Sequence, residues 1–294
     1  MSLKSPLAPP LTKGGLGGFE SYAKILKITL NVKREKVMEI NLNPIFFELG
    51  PIRLSWYGLM YVLGFLASYV LVRHQIKKKA FGITKSEIED LYFYLILALI
   101  IGARLGYVLF YDLKTYLHKP FEIPAVWHGG MSFHGGLIGL LLAAFLFCRK
   151  KKKSFWKIAD LIIVTAPIGL GLGRIGNFIN GELYGRASQV PWAMIFPRGG
   201  PIPRHPSQLY ESVLEGGVLF IILWFMKDKN LPRGGLFPLF LILYGGFRFF
   251  VEFFREPDVQ LGFILGPFTM GQVLSSFMIV GGIILFVNLR KRLW

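Results

Sequence analysis

Residues 90–110, "DLYFYLILALIIGARLGYVLF", decide the fold class: apart from Asp90 at the edge and Arg104 within, the stretch carries no charge. About 20 mostly apolar residues in a helix cross the hydrocarbon core of a bilayer, so this run reads as a transmembrane helix. Six more stretches read the same way, at roughly 54–73, 133–149, 158–177, 208–226, 236–254 and 267–289. The expected fold is an all-α integral membrane protein, a bundle of about seven transmembrane helices with outward loops.

Composition points the same way. Of the 294 residues 53% are hydrophobic, and the mean hydropathy is +0.50, well beyond an ordinary soluble domain. The net charge of +17 does not indicate nucleic acid, because the basic residues form short clusters between apolar runs and not one face of a soluble fold. "RHQIKKK" (73–79, with Lys85), "RKKKKSFWK" (149–157), "KDKNLPR" (227–233) and "RKR" (290–292) follow the first, third, fifth and seventh runs. The positive-inside rule then sets the N-terminus outside and the C-terminus in the cytoplasm, with loops 111–132, 178–207 and 255–266 facing outward. A single cysteine, Cys148, excludes an internal disulfide, and no His/Cys/carboxylate group has metal-ligand spacing, so no metal or redox cofactor is expected.

Residues 1–37 sit awkwardly with that orientation. They carry seven basic and two acidic residues, Pro/Gly punctuation and no long apolar core, which suits neither translocation nor a signal peptide. The sequence therefore predicts a disordered or non-native extension over 1–37, a natural start at Met38, and one transmembrane domain over 38–294. Peptides from residues 1–37 in the mass spectrum of the purified native protein would overturn this.

Charged groups at membrane depth are rare and mark polar cavities or partners. Arg104, Tyr107 and Tyr111 share one helix face at i, i+3 and i+7. In "YGGFRFFVEFFREPD" (244–258), Tyr244, Arg248, Glu252 and Arg255 recur at i, i+4, i+8 and i+11, within one stripe. Arg248 and Glu252 form either an ion pair that fixes packing or part of a functional site. "GRIGNFINGELYGR" (173–186) sets Arg174, Asn177 and Asn180 on one side of a helix, and a turn at Gly181 brings Glu182 back toward them. Its glycines suit close helix packing as well as anion approach. "HGGMSFHGG" (128–136) places His134 at a helix start, as a base near neutral pH or as a capping residue. "RHPSQLYE" (204–211) adds His205 and Glu211, which fit a helix cap and its supporting pairs equally well. Tyr57, Arg104, His134, Arg174, Asn177, Glu182, Tyr244, Arg248 and Glu252 thus fall toward the outer half of the bundle. Arginine forks beside lipid-like walls suit a phospholipid headgroup.

Four motifs in this order, "HGGMSFHGGLIG" (128–139), "GRIGNFINGELYG" (173–185), "RHPSQLYE" (204–211) and "YGGFRFFVEFFREPD" (244–258), closely resemble the prolipoprotein diacylglyceryl transferases of bacteria. The second fits that family's signature, Gly-Arg-x-Gly-Asn-Phe-x-Asn-x-Glu-x-x-Gly, at every specified position, and the likeness runs from about Trp56 to the last span. The resemblance implies a catalytic domain in the bacterial cytoplasmic (inner) membrane, with its site toward the outer leaflet. It implies transfer of the diacylglyceryl group of phosphatidylglycerol to the lipobox cysteine thiol of a preprolipoprotein, forming a thioether and releasing glycerol 1-phosphate, without a cofactor. Its functional positions carry over onto Tyr57, His134, Arg174, Asn177, Glu182, Tyr244, Arg248 and Glu252. On this reading Arg174 and Arg248 hold the phosphate, with Arg104 lending further charge to the headgroup. Asn177 and Tyr244 orient the lipid, Glu182 and Glu252 hold the arginines, and His134 assists thiol deprotonation. A transporter or flippase for an anionic lipid is the alternative, but it predicts polar groups along a path to both faces and paired repeats, and neither stands out here.

Overall fold

The computed structural model describes residues 37–50, 52–79, 81–257 and 262–291. The expectation for residues 1–37 lies, but for Val37, outside the described residues. Helices dominate: α1 (Trp56–Lys78), α2 (Lys85–Phe110), α3 (Leu113–His118), α4 (Phe133–Lys150), α5 (Phe155–Ile163), α6 (Ala166–Ile179), α7 (Ser207–Met226), α8 (Leu236–Val251) and α9 (Met270–Lys291). Among the described residues five of these are long and apolar enough to cross a membrane, or six if the bent pair α5–α6 counts as one span. Helix α8 is shorter at 16 residues, about 24 Å at 1.5 Å per residue against a hydrocarbon core of about 30 Å.

Two expectations need correction. The fourth run is not one helix, because α5 and α6 meet at a 44° bend. Pro167 stands in the first turn of α6 and brings no N–H, so the ladder breaks just before it. The break is tied down by side chains: Thr165 Oγ1 donates to the Ile162 carbonyl at 2.8 Å, and Ser68 Oγ lies 2.6 Å from both Thr165 Oγ1 and the Tyr92 hydroxyl. Nor is the protein wholly helical. Short strands form a three-stranded sheet in the order β1 (Met38–Glu39), β4 (Met194–Ile195), β5 (Pro203–Arg204), and two hairpins, β2 (Ile45–Leu49) with β3 (Ile52–Ser55) and β6 (Phe263–Leu265) with β7 (Phe268–Thr269). Runs of two to five residues leave no periodic pattern by which sequence could show them.

The connections sort onto two faces. On one, β1 joins β4, and the Gly185–Arg255 bridge ties the 180–206 segment to the end of α8. On the other, Lys79 Nζ meets Asp228 Oδ1 at 2.6 Å, Lys153 Nζ meets Glu87 Oε2 at 2.9 Å, and Asp160 accepts from the Gly234 and Leu236 amides at 2.7 and 3.0 Å. Hydrogen bonds from Lys227 and Lys79 hold the Asp228 carboxyl down at about 2. The strands mark the first face and the lysines the second.

Local signals start the helices where the sequence changes character. The Thr84 hydroxyl accepts from the Glu87 amide at 3.2 Å while Glu87 Oε2 accepts from the Thr84 amide at 2.8 Å, a capping box that opens α2. Ser132 and Ser55 open α4 and α1 as simple N-caps, accepting from the Gly135 and Gly58 amides. Helices α2 and α4 then lie backbone to backbone, since a Cβ on Gly106 would stand 2.7 Å from the Gly135 Cα. Toward the lysine-bearing face a buried apolar cluster of Val72, Ile88, Leu91, Leu95, Phe147 and Ile158 closes the bundle, leaving the opposite end to polar chemistry.

Candidate active site

Three helices deliver the charged core of the site. Helix α6 brings Arg174 against α7, and the approach is close because Gly171 faces Gly216: a Cβ on Gly216 would fall 2.6 Å from the Gly171 Cα. Ser212 Oγ reinforces the contact by donating to the Gly171 carbonyl at 3.0 Å. Opposite Arg174 stand Glu211 and Glu215, one turn apart, at the point where α7 winds through a π-helical stretch (Ser212–Val218). Such stretches recur at functional sites. Helix α8 supplies Arg248, Glu252 stands at its C-cap, and Arg255 follows just beyond.

These groups interlock. Arg174 Nε lies 2.5 Å from Glu211 Oε2, and Arg248 Nη1 lies 2.9 Å from Glu211 Oε1. Glu215 reaches the same arginines at 3.9 and 3.7 Å. Arg248 Nη2 also pairs with Glu252 Oε1, and Arg255 Nη1 approaches that oxygen at 3.2 Å. Thr269 Oγ1 donates to Glu252 Oε2 at 2.9 Å. Glu211, Glu215 and Glu252 are 1%, 0% and 3% exposed, so the network is buried rather than a solvated surface pair. Burying charges this completely opposes folding unless geometry and counter-charges compensate, which here needs all three helices together. Tyr244, one turn before Arg248, stacks on Phe240 at 5.5 Å and lies within electrostatic reach of Arg174 and Glu215.

A second group extends from Arg174 toward the strands. Asn177 Oδ1 is 3.5 Å from Arg174 Nη1, and Asn177 Nδ2 donates to Glu182 Oε1 at 2.9 Å, as does Asn180 at 3.1 Å. The return of Glu182 depends on Gly181 at φ +62°, a backbone region that side chains disfavour. Gln208 Nε2 then holds the Glu182 carbonyl at 2.7 Å. The Tyr57 ring covers this helix where it lacks a side chain, with Cδ2 only 2.8 Å from where a Gly176 Cβ would be. Arg186 stays outside, donating to the Arg255 carbonyl at 2.9 Å and so bracing the 180–206 arm on the end of α8. His205 in that arm sits 3.1 Å from the Tyr210 hydroxyl, and burial pushes its imidazole below the usual histidine range.

Two sequence candidates lie elsewhere. The Arg104 guanidinium donates to the carbonyls of Ile123 at 2.8 Å, Glu122 at 2.6 Å, Gly129 at 2.5 Å and Gly130 at 3.1 Å, over the Tyr116 ring. These bonds organise the 111–132 loop. His134 is exposed on the first turn of α4, with the Phe133 ring edge-on at 5.7 Å. Conversely, Glu215 does not stand out in the sequence, and Glu211 fits a functional site and a cap with its supporting pairs equally well. The signal was two carboxylates at i, i+4 inside an apolar run, beside arginines that need counter-charges.

Fold and site together define a multi-pass helical membrane protein with a buried arginine–glutamate centre at one end of its bundle. The profile of the prolipoprotein diacylglyceryl transferase family matches residues 44–288. The chain is 56% identical over 260 residues to the phosphatidylglycerol–prolipoprotein diacylglyceryl transferase of Desulfotalea psychrophila, covering 85% of this chain and 96% of that one. It is 53% identical to the protein of the same name from Geobacter sulfurreducens, over 86% of this chain and 97% of that one. The chain belongs to the prolipoprotein diacylglyceryl transferase family.

Proposed function

We propose that this protein transfers the diacylglyceryl group of phosphatidylglycerol to the lipobox cysteine thiol of a preprolipoprotein. It works in a bacterial cytoplasmic membrane with the strand-bearing face outward, crossing seven times, the N-terminus outside and the C-terminus in the cytoplasm. The seven crossings are supported by contacts at both ends of the shortest segment: α8 begins at the Asp160 cap on the lysine-bearing face and ends at the Gly185–Arg255 bridge on the other. Counting α5–α6 as one bent span makes the faces alternate throughout.

The observation that carries the chemistry is the convergence of Arg174 and Arg248 on one point, at 2.5 and 2.9 Å from the two oxygens of Glu211. A phosphate reaching that point meets two guanidinium forks from two helices. In the reaction the thiol gives up its proton, to the His134 imidazole or to solvent, the sulfur forms a bond to the terminal glycerol carbon of the diacylglyceryl group, and the bond from that carbon to the phosphate oxygen breaks. The electron pair leaves with the oxygen, so negative charge grows on the phosphate as glycerol 1-phosphate departs. Arginines held by Glu211 and Glu252 stabilise that growing charge more than the starting diester. A free thiol titrates near 8.5, so the positive field and the exposed His134 imidazole raise the thiolate fraction. Asn177, Glu182 and Tyr57 line the approach from the 180–206 arm, and Tyr244 backs the arginines. Arg104 acts at a distance here, holding the loop that leads into His134. The test incubates the purified protein with phosphatidylglycerol and a lipobox peptide and looks for the thioether by mass. No product from folded protein overturns the proposal.

A further inference from the structure

The arginines that should receive a phosphate are already neutralised. Arg174, Arg248 and Arg255 face Glu211, Glu215 and Glu252, so with every group ionised the charges of the cluster cancel. A phosphodiester brings one further negative charge into a place from which water is largely excluded. Burying an uncompensated charge there is strongly unfavourable. One carboxylate must leave, or one must be neutralised. Leaving is obstructed, because Glu211 and Glu215 are fully enclosed on a helix held against α6 by the Gly171–Gly216 contact.

The three glutamates are not equivalent. Glu252 has a close guanidinium and the Thr269 hydroxyl. Glu211 has arginine nitrogens at 2.5 and 2.9 Å, with Arg255 Nε at 4.0 Å. Glu215 has only long approaches, 3.7 and 3.9 Å, and it is these distances that set it apart, since the oxygens of Glu211 and Glu215 alike lack a well-aligned hydrogen bond among the described residues. It also shares Arg248 Nη1 with Glu211, which brings two carboxylates side by side. Around it, α6 offers Arg174, α8 offers Tyr244, Arg248 and Glu252 with Arg255 beyond, and the first turn of α7 offers Glu211. The rest of α7 (Leu219–Met226) offers no charge.

We infer that phosphatidylglycerol binds together with one proton, taken up by Glu215, so that the cluster carries one net positive charge to offset the phosphate without moving a carboxylate out of the bundle. The inference rests on the headgroup reading above and names how that site becomes available. When product leaves, the proton returns to solvent and Glu215 pairs with the arginines again. The site is thereby closed to anions except when a proton accompanies them.

The test is calorimetric titration of the full chain, in neutral phosphatidylcholine nanodiscs, with dioctanoylphosphatidylglycerol between about pH 6 and 9, in buffers of differing ionisation enthalpy. Uptake approaching one proton per lipid is expected at the alkaline end, with affinity falling by up to about tenfold per pH unit. Glu215→Gln keeps the shape and removes the charge. It should bind without proton uptake and with little pH dependence. Lipid binding by the unmodified protein with no proton uptake at any pH overturns this inference and leaves the headgroup site standing. Undiminished uptake in Glu215→Gln overturns the assignment to that residue. No lipid binding at all removes the headgroup reading and this inference with it.

Discussion

Lysine and arginine carry the same charge, so Arg174→Lys and Arg248→Lys isolate what the planar fork contributes. Arg248 engages carboxylates on two helices through separate nitrogens, a geometry a single ammonium does not reproduce. Each substitution is expected to lower thioether formation by about 10²-fold, the order seen when one oriented donor to a developing anion is lost. Near-normal rates in both variants would remove phosphate clamping from the mechanism. Cys148 makes the opposite case: it is buried among Phe147, Ile158 and Leu161, in the cluster near the lysine-bearing face. Cys148→Ala should form product at the parental rate in the same mass assay, since the reacting thiol belongs to the substrate. Abolished activity in a folded variant would demand a covalent enzyme intermediate. Arg174 and Arg248 could be picked out in sequence because a guanidinium in an apolar run is anomalous by itself. Arg104 is equally anomalous, and its fork ends on the carbonyls of the loop beside it, a partner that sequence does not reveal.

At the scale of elements the site depends on how closely α6 and α7 approach. Gly216 and its neighbour Gly217 make a matched pair, since a Cβ on the first strikes the Gly171 backbone while one on the second meets nothing within 4 Å. Gly216→Ala should push α7 away from Arg174, cost about 1–3 kcal/mol and lower the unfolding temperature and the rate together. Gly217→Ala should leave the rate intact and stabilise the helix by up to about 1 kcal/mol. Equal melting temperatures for the two variants would show that the approach is not tight. Helix positions were legible from apolar length, and α2 and α4 begin within a few residues of where the runs do. The bend before Pro167 was written in the sequence but masked by apolar residues on both sides. The strands were illegible because runs of two to five residues are too short to show a period, and for β1 also because its partner is far away in sequence, Met38 pairing with Met194 only in the assembled bundle.

For the whole molecule the decisive quantity is the distribution of charge, not its total. The lysine clusters gather on one face because the loops that carry them touch there, and the arginine–glutamate centre lies at the other end. A reaction between a membrane lipid and an exported peptide requires that second end to face outward, which the positive-inside rule also demands. Orientation and function therefore stand or fall together. With Cys148→Ala as background, single cysteines at Gln189, exposed in the 180–206 arm, and at Lys229, exposed between α7 and α8, report the two faces. A membrane-impermeant maleimide added to intact spheroplasts should label Gln189→Cys at once and Lys229→Cys only after the membrane is permeabilised. The reverse pattern would put the buried arginines on the cytoplasmic side, out of reach of an exported thiol, and would overturn the transferase orientation even if lipid still bound.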